Sequence, residues 1–244
     1  MGQVILITSG KGGVGKSTIC TMLGAALVRQ GNKVLMLESD CGLRNLDIMN
    51  GLDQKVVYDL GDVLTGRCEP IKAILESPHH PELWLLPAAN SPSFIPSPEK
   101  LESLISGLAS YYDYLLVDCP AGFNQTLTAA CKAAQMGLVV VTPDLISVKD
   151  GGKATDILVS HGLGNSRLII NKLPKRFIPT QSLPDLDAVI DLVGLQLIGI
   201  VPDDSVMSEC INSGRPCEAA ISNEVFSNIA RRLKGKWLPL RVGG

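Results

Sequence analysis

Two lysines, four glycines and a serine fall within the nine residues from Gly10 to Thr18, in Ser9-Gly10-Lys11-Gly12-Gly13-Val14-Gly15-Lys16-Ser17-Thr18. The spacing G-x-x-x-x-G-K-[ST] is that of a phosphate-binding loop, and it follows the apolar run Val4-Ile5-Leu6-Ile7 and precedes a helix-forming stretch. Glycines at positions 10, 12, 13 and 15 let the backbone turn tightly and aim successive N–H groups inward as a concave anion trap. A helix beginning there adds its positive N-terminal end. Lys16 is then expected to reach the β- and γ-phosphates, and the Ser17 hydroxyl to ligate Mg²⁺. With Val14 and Thr18 the loop forms a cradle for a nucleoside triphosphate. Lys11 is not required by an ordinary phosphate loop. It is either a solvated loop charge or a second cation acting on the nucleotide, in its own subunit or in a neighbouring one.

A triphosphate with Mg²⁺ needs acids on neighbouring strands. Tyr114-Leu115-Leu116-Val117-Asp118 is an apolar strand ending in a carboxylate, suited to hold the metal through a water opposite Ser17. Four residues later Gly122 offers an N–H with no side chain in front of it, placed to sense a γ-phosphate. Asp40, in Glu38-Ser39-Asp40-Cys41-Gly42-Leu43-Arg44-Asn45-Leu46-Asp47, is the candidate to orient the attacking water or accept its proton. Glu38 reads as the end of a strand rather than a second metal-shell acid, and Asp47 as a helix-capping or surface acid. Asn171, emerging from Leu168-Ile169-Ile170, stands either as an Asx turn or as an amide on the edge of the base. Pro202 and Asp203 are placed to flank that base.

These residues need a scaffold. Short Val/Ile/Leu-rich runs at Val4–Thr8, Lys33–Glu38, Leu83–Leu86, Tyr114–Asp118, Gly137–Thr142, Arg167–Asn171 and Leu197–Val201 suit strands covered on both faces. Helical segments are expected at Thr18–Gln30, Pro98–Leu108, Thr126–Ala134, Gly151–Ser160, Leu186–Val193 and Asn223–Leu233. The alternation predicts an α/β fold, a mostly parallel, doubly wound sheet flanked by helices, spanning residues 1–244 as one domain. Surface loops are expected at Ala88–Pro96 and Pro174–Pro184. In such a sheet the ligand crevice lies beyond the C-terminal strand ends. Ser9-Gly10, Asp40, Asp118, Pro143-Asp144, Asn171-Lys172 and Pro202-Asp203-Asp204 all fall there.

The 244 residues include 45% hydrophobic and 19% charged residues. The net charge of −2 gives no general electrostatic reason to bind nucleic acid. Seven cysteines, scattered singly without a C-x-x-C, argue against a disulfide framework or zinc site. Cys41 and Cys119 stand apart because each adjoins a candidate site aspartate. No apolar stretch approaches the roughly 18 residues of a membrane span, and no signal-peptide pattern opens the chain. A cytoplasmic protein is expected, at most peripheral to the inner face of the cell membrane.

Lys11-Gly12-Gly13-Val14-Gly15-Lys16-Ser17-Thr18 resembles the deviant Walker A motif of the MinD/ParA ATPases, in which the extra lysine is the signature. Gly42-Leu43-Arg44-Asn45-Leu46-Asp47, Val56-Val57-Tyr58-Asp59-Leu60, Asp118-Cys119-Pro120-Ala121-Gly122, Ile198-Gly199-Ile200-Val201-Pro202-Asp203-Asp204 and Asn228-Ile229-Ala230-Arg231-Arg232-Leu233 extend the likeness over almost the whole chain. The resemblance implies a P-loop NTPase that hydrolyses ATP to ADP with Mg²⁺ and dimerises around ATP. Lys11 would reach the phosphates of the second subunit, Asp40 would position water, and Asp118 with Gly122 would form a switch. It further implies MinC- and MinE-like protein partners and ATP-dependent membrane binding.

Two departures bear on those partners. The family's terminal amphipathic helix has no counterpart before the chain stops at Pro239-Leu240-Arg241-Val242-Gly243-Gly244, so membrane association is not expected to carry over. An Arg-Asp-x-Asp-Arg run that contributes to partner docking is replaced by Val148-Lys149-Asp150-Gly151-Gly152-Lys153. A cofactor-maturation or cluster-carrier ATPase, a DNA-partition ATPase and a small-molecule ligase remain the alternatives at this point.

Overall fold

The computed structural model describes residues 2–183, 185–217 and 221–240. Pro184 and the chain end Arg241–Gly244, both used above, lie outside the described residues. In chain order the elements are β1 (Gln3–Thr8), α1 (Lys16–Val28), β2 (Val34–Glu38), α2 (Leu46–Met49), α3 (Leu60–Thr65), α4 (Pro70–Ala73), β3 (Leu75–Glu76), β4 (Leu83–Leu86) and α5 (Pro98–Leu108). There follow β5 (Tyr114–Asp118), α6 (Gln125–Ala133), β6 (Met136–Val141), α7 (Leu145–Ser160), β7 (Arg167–Leu173), α8 (Leu186–Val193), β8 (Leu197–Pro202), α9 (Ser205–Asn212) and α10 (Ser222–Leu233). Among the described residues the eight strands form one sheet, ordered β3-β4-β2-β5-β1-β6-β7-β8. Every pairing is parallel except that of the two-residue edge strand β3 with β4.

The central strands are apolar throughout because both faces are covered. Val4 and Leu6 of β1 join the core beneath α5 to α8, while Ile5 and Ile7 join the one beneath α1, α9 and α10. β1 sits between β5 and β6, so the chain winds to one side through β2, β4 and β5 and to the other through β6 to β8. The switch point, where an open parallel sheet leaves a crevice, therefore opens at the end of β1.

The expected strands and helices are present with ends shifted by a few residues, and five short elements were not anticipated: α2, α3, α4, β3 and α9. One correction matters for the site. The helix expected to start at Gly151 begins at Leu145, capped by Asp144, whose side chain accepts from the Ser147 N–H. Gly151 and Gly152 lie inside it because it runs too close to its neighbours for side chains. A Cβ on Gly151 would stand 2.5 Å from Val141 Cγ1, and one on Gly10 would stand 2.4 Å from the Asp150 carbonyl oxygen.

Candidate functional site

The loop between β1 and α1 turns on Gly13 (φ +77°) and Gly15 (φ +96°), left-handed conformations that favour glycine. Two side chains from β7 hold it from behind. Asn171 Nδ2 donates to the Val14 carbonyl at 2.7 Å, and Lys172 Nζ donates to the Gly13 carbonyl at 2.9 Å. In a trans peptide the N–H points opposite to its carbonyl, so pulling these carbonyls toward β7 turns the Val14 and Gly15 N–H groups the other way. The Gly12 and Gly13 backbone is exposed, Thr18 is half-buried in the first turn of α1, and Lys16 is 7% exposed.

Lys16, Ser17, Asp40 and Asp118 share one electrostatic neighbourhood. Burial raises the Asp118 carboxyl to about 6, against the lowering pull of the Ser17 hydroxyl and then the Lys16 charge. Asp40, half-buried, is also raised by burial and pulled down by Lys16. Lys11 lies elsewhere. Its ammonium is 3.4 Å from Asp144 Oδ1, both side chains being more than 40% exposed. Burial is opposed at Asp144 by the Thr142 hydroxyl, the Ser147 N–H and Lys11, which together leave its carboxyl below the ordinary range.

Gly122 takes a left-handed turn (φ +82°), and its N–H donates to the Ser9 carbonyl at 3.1 Å. The switch candidate is thus tied to the phosphate loop itself. Glu38 ends β2 fully buried. Its Oε1 accepts from the Asn45 and Leu46 N–H groups at 2.6 and 3.2 Å, and Oε2 from Ala88 N–H at 3.4 Å. Burial nevertheless raises this carboxyl to about 7. Glu38 is therefore the strand-end residue expected, and its carboxylate also fastens the two ends of the segment carrying Asp40. Asp47 is no surface acid: it is 2% exposed, in the first turn of α2, and accepts from Arg44 Nε at 2.9 Å. At the far side Pro202 ends β8 opposite Leu173, and the exposed Asp203 donates its N–H to the Leu173 carbonyl at 2.8 Å. Its neighbour Asp204, unassigned in the sequence, caps α9 and accepts from both the N–H and the hydroxyl of Ser222.

The donor set fits a magnesium nucleotide. Among the described residues, three buried side-chain atoms have no protein partner: Thr8 Oγ1, Asp118 Oδ1 and Asn171 Oδ1. Such atoms carry a desolvation cost until something donates to them or coordinates them. Asp118 Oδ1, beside Ser17, suits a metal-bound water. Asn171 Oδ1 is an acceptor that suits the exocyclic amine of a base. Among the described residues no group of three or more His, Cys, Asp or Glu side chains is arranged to hold a metal ion, and no helix is long and apolar enough to cross a membrane.

Comparison with known proteins places residues 5–217 on the profile of the CobQ/CobB/MinD/ParA nucleotide binding domain. The septum site-determining protein MinD of Synechocystis sp. is 38% identical over 98% of this chain and 92% of its own length. That of Bacillus subtilis is 36% identical over 99% and 92%. Among solved structures, the MinC:MinD cell division protein complex of Aquifex aeolicus matches with a TM-score of 0.87 and 34% identity over 98% of each chain. MinD of Pyrococcus horikoshii, complexed with Mg-ADP, matches with a TM-score of 0.85 and 28% identity over 96% of each chain.

Proposed function

The chain belongs to the CobQ/CobB/MinD/ParA nucleotide-binding family, and on that premise we propose that it is a MinD-type ATPase acting in division-site placement. In this reading residues 1–244 work as one ATPase domain that pairs with a second copy when ATP is bound. The backbone N–H groups of Gly10 to Thr18 and the N-terminus of α1 bind the phosphates. Lys16 neutralises their terminal oxygens, and Ser17 with Asp118 would hold Mg²⁺, the carboxylate through a water. The metal supplies charge neutralisation at the oxygens on which negative charge develops. Asn171 binds the base, with Pro202 and Asp203 flanking it.

Asp40 orients the water and receives its proton as ATP is split to ADP and phosphate. Its carboxyl is already raised by burial, which brings it nearer the range of a working base. Lys11 exchanges the Asp144 carboxylate for the phosphates of the partner subunit, a change that costs little because the pair is solvent-exposed. Gly122 reports the γ-phosphate through its bond to Ser9. We assign the protein to the cytoplasm, with a MinC-like protein as the first partner to test.

The observation that carries this reading is the convergence of Lys16, Ser17, Asp40 and an unpartnered Asp118 oxygen behind a glycine-built loop. Light scattering on a sizing column tests it with Asp40→Ala, Mg²⁺ and ATP. The mass should double from 26.0 kDa with ATP and remain at 26.0 kDa with ADP. A chain that remains single with ATP overturns the dimer switch. Sedimentation with liposomes in ATP and in ADP decides membrane association.

A further inference from the structure

Strand β7 is distorted where it meets the phosphate loop. From Ile170 to Leu173 it advances three residues while β8 advances two, from Ile200 to Pro202, so β7 holds one residue more than its neighbour. Ile170 and Leu173 accordingly both join the core beneath α5 to α8, although residues three apart in a regular strand point to opposite faces. The backbone takes up the extra residue at Lys172, whose φ of +55° is a left-handed conformation that glycine adopts freely and a lysine only under strain.

Successive side chains of a strand point apart, yet Asn171 and Lys172 both turn to one loop and bond consecutive carbonyls, Val14 and Gly13. The Gly13 carbonyl shares its peptide plane with the Val14 N–H, and the Val14 carbonyl shares its plane with the Gly15 N–H. Lys172 therefore sets one N–H of the cradle and Asn171 the next. Asn171 does so from a buried position and Lys172 from the surface. A loop with glycine at positions 10, 12, 13 and 15 has many conformations when empty. Each one that turns an N–H away from the anion lowers the apparent affinity by its share of the population. Backbone strain held in place beside a binding loop points to a task for the side chain that the strain positions.

We propose that Lys172 is a positioning residue for phosphate binding: the bulge in β7 brings its ammonium behind the Gly13 carbonyl, and that bond holds the Val14 N–H toward the anion before any ligand arrives. The proposal rests on the phosphate-loop reading and gives Lys172 no contact with the nucleotide itself.

Calorimetric titration of the whole chain with inorganic pyrophosphate and with ADP, alongside thermal unfolding without ligand, tests this. Lys172→Gly removes the left-handed strain and the bond to the loop together. Its Tm should move by less than about 4 °C, since the relief and the loss oppose each other. Both ligands should bind about three- to tenfold more weakly, the worth of one hydrogen bond. Lys172→Met should lose affinity by the same factor, and Lys172→Arg, which keeps a cationic donor, should bind both ligands more tightly than Lys172→Met. Lys175→Ala removes a charge three residues further on and should leave both affinities unchanged. Unchanged affinity in Lys172→Gly overturns the proposal, as does a larger fall in Tm, which would mark a general loss of structure. A loss confined to ADP would put Lys172 on the base instead, and an equal loss in Lys175→Ala would put the effect down to overall charge; either overturns it. Native protein that binds neither ligand would refute the phosphate loop itself, a failure seen before any variant is made.

Discussion

Gly15→Ala separates two strains that the structure superimposes at one position. The residue sits at φ +96°, which costs an alanine about 1–2 kcal/mol. Its new Cβ would also lie 2.3 Å from Asn171 Nδ2, an atom bonded to the Val14 carbonyl. Asn171 must move, and a buried amide and carbonyl lose each other at a cost of about 1–3 kcal/mol. The sum is about 2–5 kcal/mol, or a fall in Tm of about 4–20 °C at the roughly 2–4 °C per kcal/mol of a chain this size. Asn171→Ala alone forfeits the second part only. In that background the clash is gone, since Nδ2 and Cγ of residue 171 are both removed and the next atom, Lys172 Cε, stands 3.9 Å away. The double-mutant cycle, measured by urea unfolding without nucleotide, should give a coupling of about 1–3 kcal/mol. If Gly15→Ala costs as much with alanine at 171 as with asparagine, the loop is not braced by that amide and the geometry described above is wrong.

Three more outcomes follow from the site. Glu38 holds its proton up to about pH 7 in the folded chain and releases it near 4.5 when unfolded, so its contribution to stability falls as pH rises through that window. The unfolding free energy should drop by up to about 1.4 kcal/mol per pH unit from this group, and Glu38→Gln should flatten the slope in urea titrations at pH 5, 6 and 7. Lys11→Ala should change stability by less than about 1 kcal/mol, because its pair with Asp144 is exposed, yet abolish ATP-driven pairing on a sizing column. Asp118→Asn should leave ADP affinity without Mg²⁺ nearly unchanged and remove the gain that Mg²⁺ brings, as read by competition with a fluorescent nucleotide.

Much of the scaffold could be read from residue patterns because parallel strands buried on both faces leave continuous apolar runs. The phosphate loop was legible for a similar reason, its glycines and lysine being fixed by backbone geometry. What escaped were features set by distant contacts. The start of α7 was hidden by Gly151-Gly152, which look like a break until Val141 is seen against the helix, and the signal that marks it is the cap Asp144 with Ser147 three residues on. Helix α3 carries a similar overlooked mark, the reciprocal Asp59–Asp62 capping box closed by Gly66. The triple backbone grip of Glu38 depends on the chain returning at Ala88, 50 residues on, which spacing cannot show. The resting partner of Lys11 was equally out of reach, since Asp144 lies 133 residues away.

The bare backbone at positions 10 and 151 gives the molecule a stiff mechanical line. Gly10 rests on Asp150, and one residue further along the same helix Gly151 rests on β6, with no slack at either touch. Any rerouting of the chain around a longer or shorter phosphate tail must push that helix as a rod or be blocked by the strand behind it. A protein seated on the outer side of α7 would then sense the nucleotide by displacement alone, without ever touching it.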